Sequence, residues 1–357
     1  MSSMTSATCP VTGGVDTHGK THHAAVVDEL GRELADAEFP ASPAGYRHLL
    51  AWMNRFGELR QVGVEGTGAF GAGLARYLRG AGVVLVEVDR PDRKTRRTKG
   101  KSDPVDAYAA AKAALSGAAS GRPKTRDGQV EAIRAIRVAR RGAIKARTQA
   151  MNQLHALLIT APAGLREQLR HLTNPALVEA CARLRPGAAG AELTNCDDPV
   201  LAATKAALRR AARRHQHLRA EVLEHEADLA HLVAAAAPRL LALPGVGPEV
   251  AGQLLTTAGD NPGRLRSEAA LAHLCGVAPI PASSGRTNRH RLNRGGDRAA
   301  NCALHTMVLT RLRHDPATQA YAERRTKEGL TRREIVRCLK RYVVREVFQA
   351  LTALDAP

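Results

Sequence analysis

The first third of the chain alternates short apolar runs with polar turns. Residues 13 to 39 contain three such runs, which predicts three strands. A Ser-Pro pair at residues 42 and 43 then opens an amphipathic helix. Two buried-looking strands follow, QVGVE and VVLVEV, with one helix between them and another after them. This order of elements predicts an α/β domain at residues 13 to 120, in which helices cover a mixed sheet.

The pattern beyond residue 120 is mainly helical. Long runs rich in Ala, Arg and Leu predict a helical, coiled-coil-like middle region at residues 121 to 237. The partner of its apolar positions is either another helix of the same chain or a helix of a second protomer, because periodicity does not identify the partner. Residues 238 to 357 are predicted to form a mainly helical C-terminal domain, and residues 1 to 12 a disordered tail.

The C-terminal domain opens on a Pro- and Gly-rich connection, LPGVGP. Its Gly245 and Gly247 lie between two predicted helices, in the pattern of a helix-hairpin-helix. Glycines let a backbone approach a phosphate closely, and the N–H groups at the start of the second helix bind anions. The alternative interpretation is a plain turn between two helices.

The charge of the chain favours a polyanionic partner. Lys and Arg number 53 against 34 Asp and Glu, so the net charge is +19. Aromatic residues make up only 3% of the chain, so base stacking has few candidates and phosphate contacts must dominate. The sequence has no long apolar run and no signal-peptide pattern, so we expect a cytoplasmic protein without membrane contact.

Basic residues concentrate in two predicted loops. The first loop precedes the helix at Asp103 and contains Arg93, Lys94, Arg96, Arg97, Lys99 and Lys101. The second, in the C-terminal domain, contains Arg286, Arg289, Arg291, Arg294 and Arg298. Such runs are either solvated charge or contacts to a nucleic-acid backbone. A row in the middle region predicts a further phosphate-facing stripe: Arg134, Arg137, Arg140, Arg141 and Arg147.

Two acidic residues end predicted strands of the α/β domain. Asp16 ends the first strand and Glu65 ends QVGVE. The same-face neighbour two residues earlier is a glycine in both cases, Gly14 or Gly63, which we interpret as space beside each carboxylate. Such space suits Mg²⁺, which takes oxygen ligands and keeps bound water. Each acid taken singly is equally explained as surface charge.

A second acidic pair opens the helix that follows the first basic loop. Asp103 precedes Pro104 and reads as an N-cap, with Asp106 in the first turn, so capping alone explains the pair. Residues three apart also share a helical face, so both carboxylates could meet the strand-end acids. Four converging acids would need raised pKa values or a divalent cation, Mg²⁺ with Mn²⁺ as the alternative.

These acids carry a resemblance to a known family. Asp16 in GVDTH, Glu65 in VEGTG, and Asp103 and Asp106 in DPVDA resemble the DEDD tetrad of a RuvC-like, RNase H-type nuclease domain. The segment from LPGVGP through the glycine-rich basic run resembles the C-terminal domain of DEDD insertion-sequence transposases, the IS-one-ten family. The resemblance implies a recombinase that moves its own element. It also implies double-stranded DNA and a guide RNA as partners, and a site built by a homodimer or tetramer.

A serine pair lies in the second basic loop, where Ser283 and Ser284 precede Gly285. A serine hydroxyl becomes a nucleophile when a base, a metal or cationic surroundings activate it, and the loop arginines supply positive charge. The alternative is a Ser-Gly turn that grips phosphate. The family resemblance implies that Ser284 attacks a DNA phosphodiester and forms a covalent phosphoserine, with Ser283 as the rival.

Histidines are given no role by the sequence. The adjacent pair His22 and His23 lies in a predicted strand, where neighbouring side chains face opposite sides, so the two are not expected to share a metal ion.

Three functions explain these patterns. The first is a DNA recombinase that uses the four acids and Ser284. The second is a hydrolytic nuclease such as a junction resolvase, in which water attacks the phosphate. The third is a binding scaffold whose acids are caps and surface charge. The recombinase explains both the acids and the serine loop, and it is favoured mainly by the family resemblance; in the hydrolytic nuclease the serine would only position phosphate.

Overall fold

The structure is a computed structural model in which the chain divides into two compact units. Unit one comprises Met1–Glu131, Thr257–Arg298 and Leu351–Pro357. Unit two comprises Ala132–Thr256 and Ala299–Ala350. The structure describes residues 9–88, 102–187, 190, 196–285 and 290–352.

The two units interleave along the sequence. The predicted domain ranges, 13 to 120, 121 to 237 and 238 to 357, follow the order of the chain instead. Unit one therefore contains the predicted nuclease domain together with Thr257–Arg298, which the sequence assigns to the C-terminal domain. The three ranges stay a prediction of which segments carry which function.

A five-stranded mixed sheet forms the centre of unit one, which confirms the predicted sheet. Its strands are β1 (Pro10–Thr17), β2 (Thr21–Asp28), β3 (Glu33–Pro40), β4 (Glu58–Glu65) and β5 (Leu85–Val88). The strand order is β3-β2-β1-β4-β5. The pairings of β1 with β2 and of β2 with β3 are antiparallel, whereas β4 is parallel to both β1 and β5. Residues 10 to 12, which the sequence assigned to a tail, pair within this sheet.

Helices make up most of the remaining described chain. In chain order they are α1 (Pro43–Met53), α2 (Ala72–Gly80), α3 (Asp103–Leu115), α4 (Gln129–Ile159), α5 (Ala163–Leu169), α6 (Asn174–Arg183), α7 (Pro199–Ala236), α8 (Pro238–Leu241), α9 (Pro248–Ala258), α10 (Glu268–Leu274), α11 (Arg298–His314), α12 (Pro316–Lys327) and α13 (Arg332–Thr352). A short antiparallel pair, β6 (Ile280–Pro281) with β7 (His290–Arg291), lies between α10 and α11. The helix content agrees with the prediction of an α/β part accompanied by mainly helical segments.

Helices cover both faces of the sheet, and neighbouring glycines of β1 identify which helix covers which face. A Cβ on Gly13 would meet the side chain of Met53 on α1, whereas a Cβ on Gly14 would meet α3. Adjacent residues of a strand point to opposite faces, so α1 and α3 lie on opposite sides of β1. The core on the α1 side is aliphatic and includes Leu49, Met53, Val15, Val62, Leu74 and Leu78.

The helix α3 lies unusually close to the sheet because both surfaces carry small residues. A Cβ on Gly14 would overlap the carbonyl oxygen of Ala107, and a Cβ on Gly63 would overlap that of Ala110. The buried face of α3 consists mainly of alanines. The interpretation that these glycines leave space for a metal is therefore wrong: the helix backbone fills that space.

Replacing Gly14 by alanine should therefore lower the free energy of unfolding. The added methyl overlaps backbone atoms of α3, and overpacking of this kind costs about 1–3 kcal/mol. Chemical denaturation monitored by circular dichroism measures the change. The matched control is Gly142→Ala on α4, where nothing lies within 4 Å of the added Cβ. That substitution should stabilise the chain by roughly 0.5–1 kcal/mol. A neutral Gly14→Ala would contradict the close approach of α3.

Unit two is built on the two long helices α4 and α7, as the sequence predicts for its middle region. Leu154 on α4 and Leu208 on α7 are fully buried in one apolar cluster that also includes residues of α5 and α6. Val222 and Leu229, two apolar residues of α7, are also buried within this single chain. Intramolecular packing therefore accounts for them, and pairing with a second protomer stays a prediction.

None of the described helices combines the length and the apolar character needed to cross a bilayer.

Candidate active site

The carboxyl ends of β1 and β4 bring Asp16 and Glu65 to the same edge of the sheet. The two strands are parallel, and Val15 lies opposite Val64, so the acids follow at matching positions. The Thr17 hydroxyl donates a hydrogen bond of 2.8 Å to the carbonyl oxygen of Glu65, which ties the two strand ends together. Two of the four predicted acids are therefore placed by sheet register alone.

The helix α3 begins one residue earlier than a cap at Asp103 would require. Ser102 has the extended backbone of an N-cap residue, and Asp103 is the first helical residue. The backbone N–H of Asp106 donates to the carbonyl oxygen of Ser102 at 3.1 Å. The prediction that Asp103 caps the helix is therefore wrong, and its carboxylate is directed to another partner.

That partner is His18, in the turn between β1 and β2. Its Nε2 lies 3.1 Å from Oδ2 of Asp16 and 3.4 Å from Oδ1 of Asp103. One potential ligand atom from each of the three residues lies within 4.8 Å of the other two. The His18 side chain is 44% exposed, so solvent reaches the group. Two predicted acids that are distant in sequence, Asp16 and Asp103, thus both contact the imidazole of His18.

Asp106 and Glu65 stand outside this group of mutually close ligand atoms. Asp106 is only 2% exposed and lies one turn beyond Asp103 on α3, beside the alanines that contact the sheet. Glu65 is half-buried at the end of β4. The structure therefore brings Asp16 and Asp103 together, while the convergence of all four carboxylates stays a prediction.

Sequence reasoning missed His18, although a signal was present. The residue lies two positions after Asp16, and that spacing places two side chains on the same face of a strand. The adjacent pair His22 and His23 is more conspicuous in the sequence, but the structure separates the two side chains. The ring of His22 is buried and stacks on Tyr46 with centroids 5.6 Å apart, and burial lowers its pKa. His23 instead lies 2.7 Å from a carboxylate oxygen of Asp36.

The predicted serine pair lies shortly after the end of β6. Ser283 and Ser284 are both exposed, and Gly285 has a positive φ of 53° that favours glycine. At the base of this segment, the Thr257 hydroxyl donates to Asp297 at 2.7 Å. The Asp297 N–H in turn donates to a carbonyl oxygen at the end of α10. The loop is thus anchored within unit one while its serines face solvent.

The predicted nucleic-acid contacts are placed only in part. Arg291, Arg294 and Arg298 are exposed at and after β7, as a phosphate contact requires. The remaining predicted basic residues of the two loops lie outside the described residues; they are Arg93, Lys94, Arg96, Arg97, Lys99, Lys101, Arg286 and Arg289.

The predicted hairpin connection lies in unit two, between α8 and α9. Gly245 has a φ of 79°, and a Cβ on Gly247 would meet nothing within 4 Å, so the turn surface at Gly247 is open. Glu249, in the first turn of α9, forms ion pairs with Arg137 at 2.7 Å and Arg140 at 3.1 Å. Two arginines of the predicted stripe are therefore neutralised inside the chain, and phosphate binding at this turn stays a prediction.

A cavity of about 1310 Å³ in unit one lies along the side of α3 that faces away from the sheet. Burial is the main cause that lowers the pKa of Lys124 in its wall to about 8. The charged side chains that line the cavity are Lys112, Lys124, Arg264, Glu33, Glu87 and Asp297. Among the described lining residues three cations face three anions, so these residues supply no positive excess for binding phosphate.

The mixed sheet and the acidic groups at its strand ends are consistent with an RNase H-like α/β domain. Two family models match the chain: one of DEDD transposases of the IS110 type matches residues 13–161, and one described as the transposase IS116/IS110/IS902 family matches residues 237–323. The first range contains all four predicted acids, and the second contains Ser284. The chain belongs to the IS110 family of transposases.

Curated relatives agree with this family. A protein of insertion element IS110 from Streptomyces coelicolor is 34% identical over 32% of this chain, and a protein of IS900 from Mycobacterium paratuberculosis is 30% identical over 29%. These alignments span 28% and 26% of the lengths of the two relatives. A protein of the IS117 mini-circle of Streptomyces coelicolor, named as a transposase, is 26% identical over 88% of this chain and 87% of its own length.

Proposed function

We propose that this chain is the transposase of a mobile element and that it catalyses metal-dependent cleavage and exchange of DNA strands. The observation that carries the proposal is the meeting of Asp16 and Asp103 on His18 at the edge of an RNase H-like sheet. Membership in a transposase family supports DNA as the substrate.

The donor atoms at the strand ends fit a divalent cation. Two carboxylate oxygens and an imidazole nitrogen lie within 4.8 Å of one another, and solvent reaches the His18 and Asp103 side chains. Asp16, Glu65, Asp103 and Asp106 would hold Mg²⁺ or Mn²⁺, both of which accept carboxylate and water ligands. A bound ion would polarise the scissile phosphate and offset the negative charge that develops on it.

Ser284 is the proposed nucleophile of strand cleavage. Its Oγ forms a bond to phosphorus and loses its proton, while the bond from phosphorus to the sugar 3′-oxygen breaks and that oxygen gains a proton. The number of phosphoester bonds is unchanged, so the linkage can be reversed when strands are rejoined. The exposed position of Ser284 after β6 supports this role, because a duplex can reach it there.

The proposed partners are DNA at the element ends and at the target, a guide RNA from the element, and further copies of the chain in a dimer or tetramer. The net charge of +19 supports polyanionic partners of both kinds. RNA guidance and the oligomer rest on the family resemblance.

Incubation of the full-length chain with labelled DNA of its own element ends and a divalent cation tests the proposal. We expect strand cleavage that stops when the cation is chelated, with part of the labelled DNA linked to protein on a denaturing gel. Addition of RNA transcribed from the element end should raise the yield. Cleavage without protein-linked DNA would favour a hydrolytic nuclease, and DNA binding without cleavage would favour a scaffold.

A further inference from the structure

We propose that His18 is a nitrogen ligand of the metal site, and that it makes the site prefer Mn²⁺ over Mg²⁺. The inference rests on the proposed function, since it takes Asp16 and Asp103 to be carboxylate ligands of a divalent cation. It extends that function by adding a side chain outside the four acids and by specifying the class of cation.

The distances around His18 match those between neighbouring ligands of one ion. Two octahedral ligands at right angles, each about 2.1 Å from the ion, lie about 3.0 Å apart. Nε2 of His18 lies 3.1 Å from the Asp16 oxygen and 3.4 Å from the Asp103 oxygen. A single cation can therefore contact all three atoms after only small adjustments of the side chains.

The backbone around His18 holds the ring at this place. The His18 N–H donates to the carbonyl oxygen of Thr21 at 3.0 Å, which closes the turn between β1 and β2. Asp16 lies near the end of β1 and His18 directly after the end of this strand, which places the two side chains 3.1 Å apart. Asp103 reaches them from the first turn of α3. Since His18 and Asp103 are both partly exposed, water molecules can complete the coordination.

The chemistry of the donor set predicts the preference for the cation. Mg²⁺ is a hard ion that takes oxygen ligands, whereas Mn²⁺, a first-row transition ion, binds carboxylates and water and also accepts an imidazole nitrogen. The competing explanation is that the His18 ring only bridges the two carboxylates. In that case a bound cation displaces the ring, and the nitrogen makes no contact with the metal.

Electron paramagnetic resonance of Mn²⁺ added to the full-length chain separates these explanations. Titration gives the dissociation constant, and pulsed measurements detect coupling of the ion to a directly bound ¹⁴N nucleus. We expect this coupling in the unaltered chain and its loss in His18→Ala. Removing even an indirect partner of a metal ligand typically costs about 10- to 100-fold in affinity, so we expect the Mn²⁺ dissociation constant to rise by about that factor. The Mg²⁺ constant, measured by competition, should change less.

Two further variants test whether the effect is specific to His18 and to its nitrogen donor. His225→Ala removes a histidine whose Nε2 lies 3.6 Å from a carboxylate oxygen of Glu221 on α7. It should leave both the coupling and the affinity unchanged. His18→Asn replaces the nitrogen ligand by an oxygen ligand and should shift the preference towards Mg²⁺.

Each outcome decides the inference. Mn²⁺ binding that shows no nitrogen coupling in the unaltered chain, or that is equally tight in His18→Ala, would overturn the role of His18 and leave the carboxylate site standing. Loss of the nitrogen coupling in His18→Ala but not in His225→Ala supports the role of His18 as a ligand. If the unaltered chain binds neither Mn²⁺ nor Mg²⁺, both the inference and the proposed metal-dependent function fail.

Discussion

Replacement of Asp106 by alanine is expected to abolish DNA strand cleavage while DNA binding is mostly retained. Asp106 is buried against the sheet, so it contributes little to a surface that grips phosphates. Alanine is the most favourable helix residue and matches the neighbouring alanines, so α3 should keep its position. Loss of a group that stabilises transition-state charge typically lowers the rate by about 10²- to 10³-fold, and loss of a metal-holding carboxylate should cost at least that much.

The measurement pairs a cleavage assay on element-end DNA with a mobility-shift assay on the same DNA. The matched control is Asp36→Ala, an exposed acid of β3 whose carboxylate contacts His23 and Tyr108. This variant should cleave at the normal rate. Normal cleavage by Asp106→Ala would remove Asp106 from the site. Equal loss of cleavage in both variants would indicate a general effect of removing acids from this sheet.

Replacement of Ser284 by alanine is expected to eliminate the covalent protein–DNA species completely, because alanine has no oxygen to bond to phosphorus. Ser283 and Ser284 are both exposed, so removal of one hydroxyl should leave the fold unchanged. Denaturing gels of labelled DNA after incubation with the divalent cation measure the protein-linked fraction. DNA binding should persist.

Ser283→Ala is the matched control, since it removes the same group one residue earlier. It should retain the covalent species at a comparable level. A protein-linked strand that persists in Ser284→Ala but disappears in Ser283→Ala would transfer the nucleophile to Ser283. Persistence in both variants would exclude this loop as the source of the nucleophile.

The order of elements in the α/β part could be predicted from the sequence because it depends on local patterns. Ser42 and Pro43 illustrate this: Ser42 accepts a hydrogen bond from the N–H of Gly45, and Pro43 is the first helical residue, as predicted. The position of Asp16 was likewise readable, because a strand end follows from the end of an apolar run. Such features need only the few residues around them.

Other features depend on what packs against a residue, and the sequence does not state that. The sequence suggested that Gly14 leaves room for an ion, but the backbone of α3, some ninety residues later in the chain, fills that space. The role of His18 could be inferred only from the structure, in which Asp103, at the start of the same helix, lies 3.4 Å from its ring nitrogen. The points at which the chain passes from one unit to the other are also not visible in the local sequence pattern. At two of them, α4 and α9 continue across the unit boundary without a break in their helical pattern.

The interleaving of the two units bears on how copies of such a gene decay. A copy cut short after codon 131 encodes the whole five-stranded sheet, yet it lacks Thr257–Arg298, which belongs to the same compact body and carries Ser284. A deletion that spares only residues 1 to 131 thus leaves the four predicted acids without the Ser284 hydroxyl. On the proposed mechanism, such broken copies would encode no protein able to link itself covalently to the host chromosome.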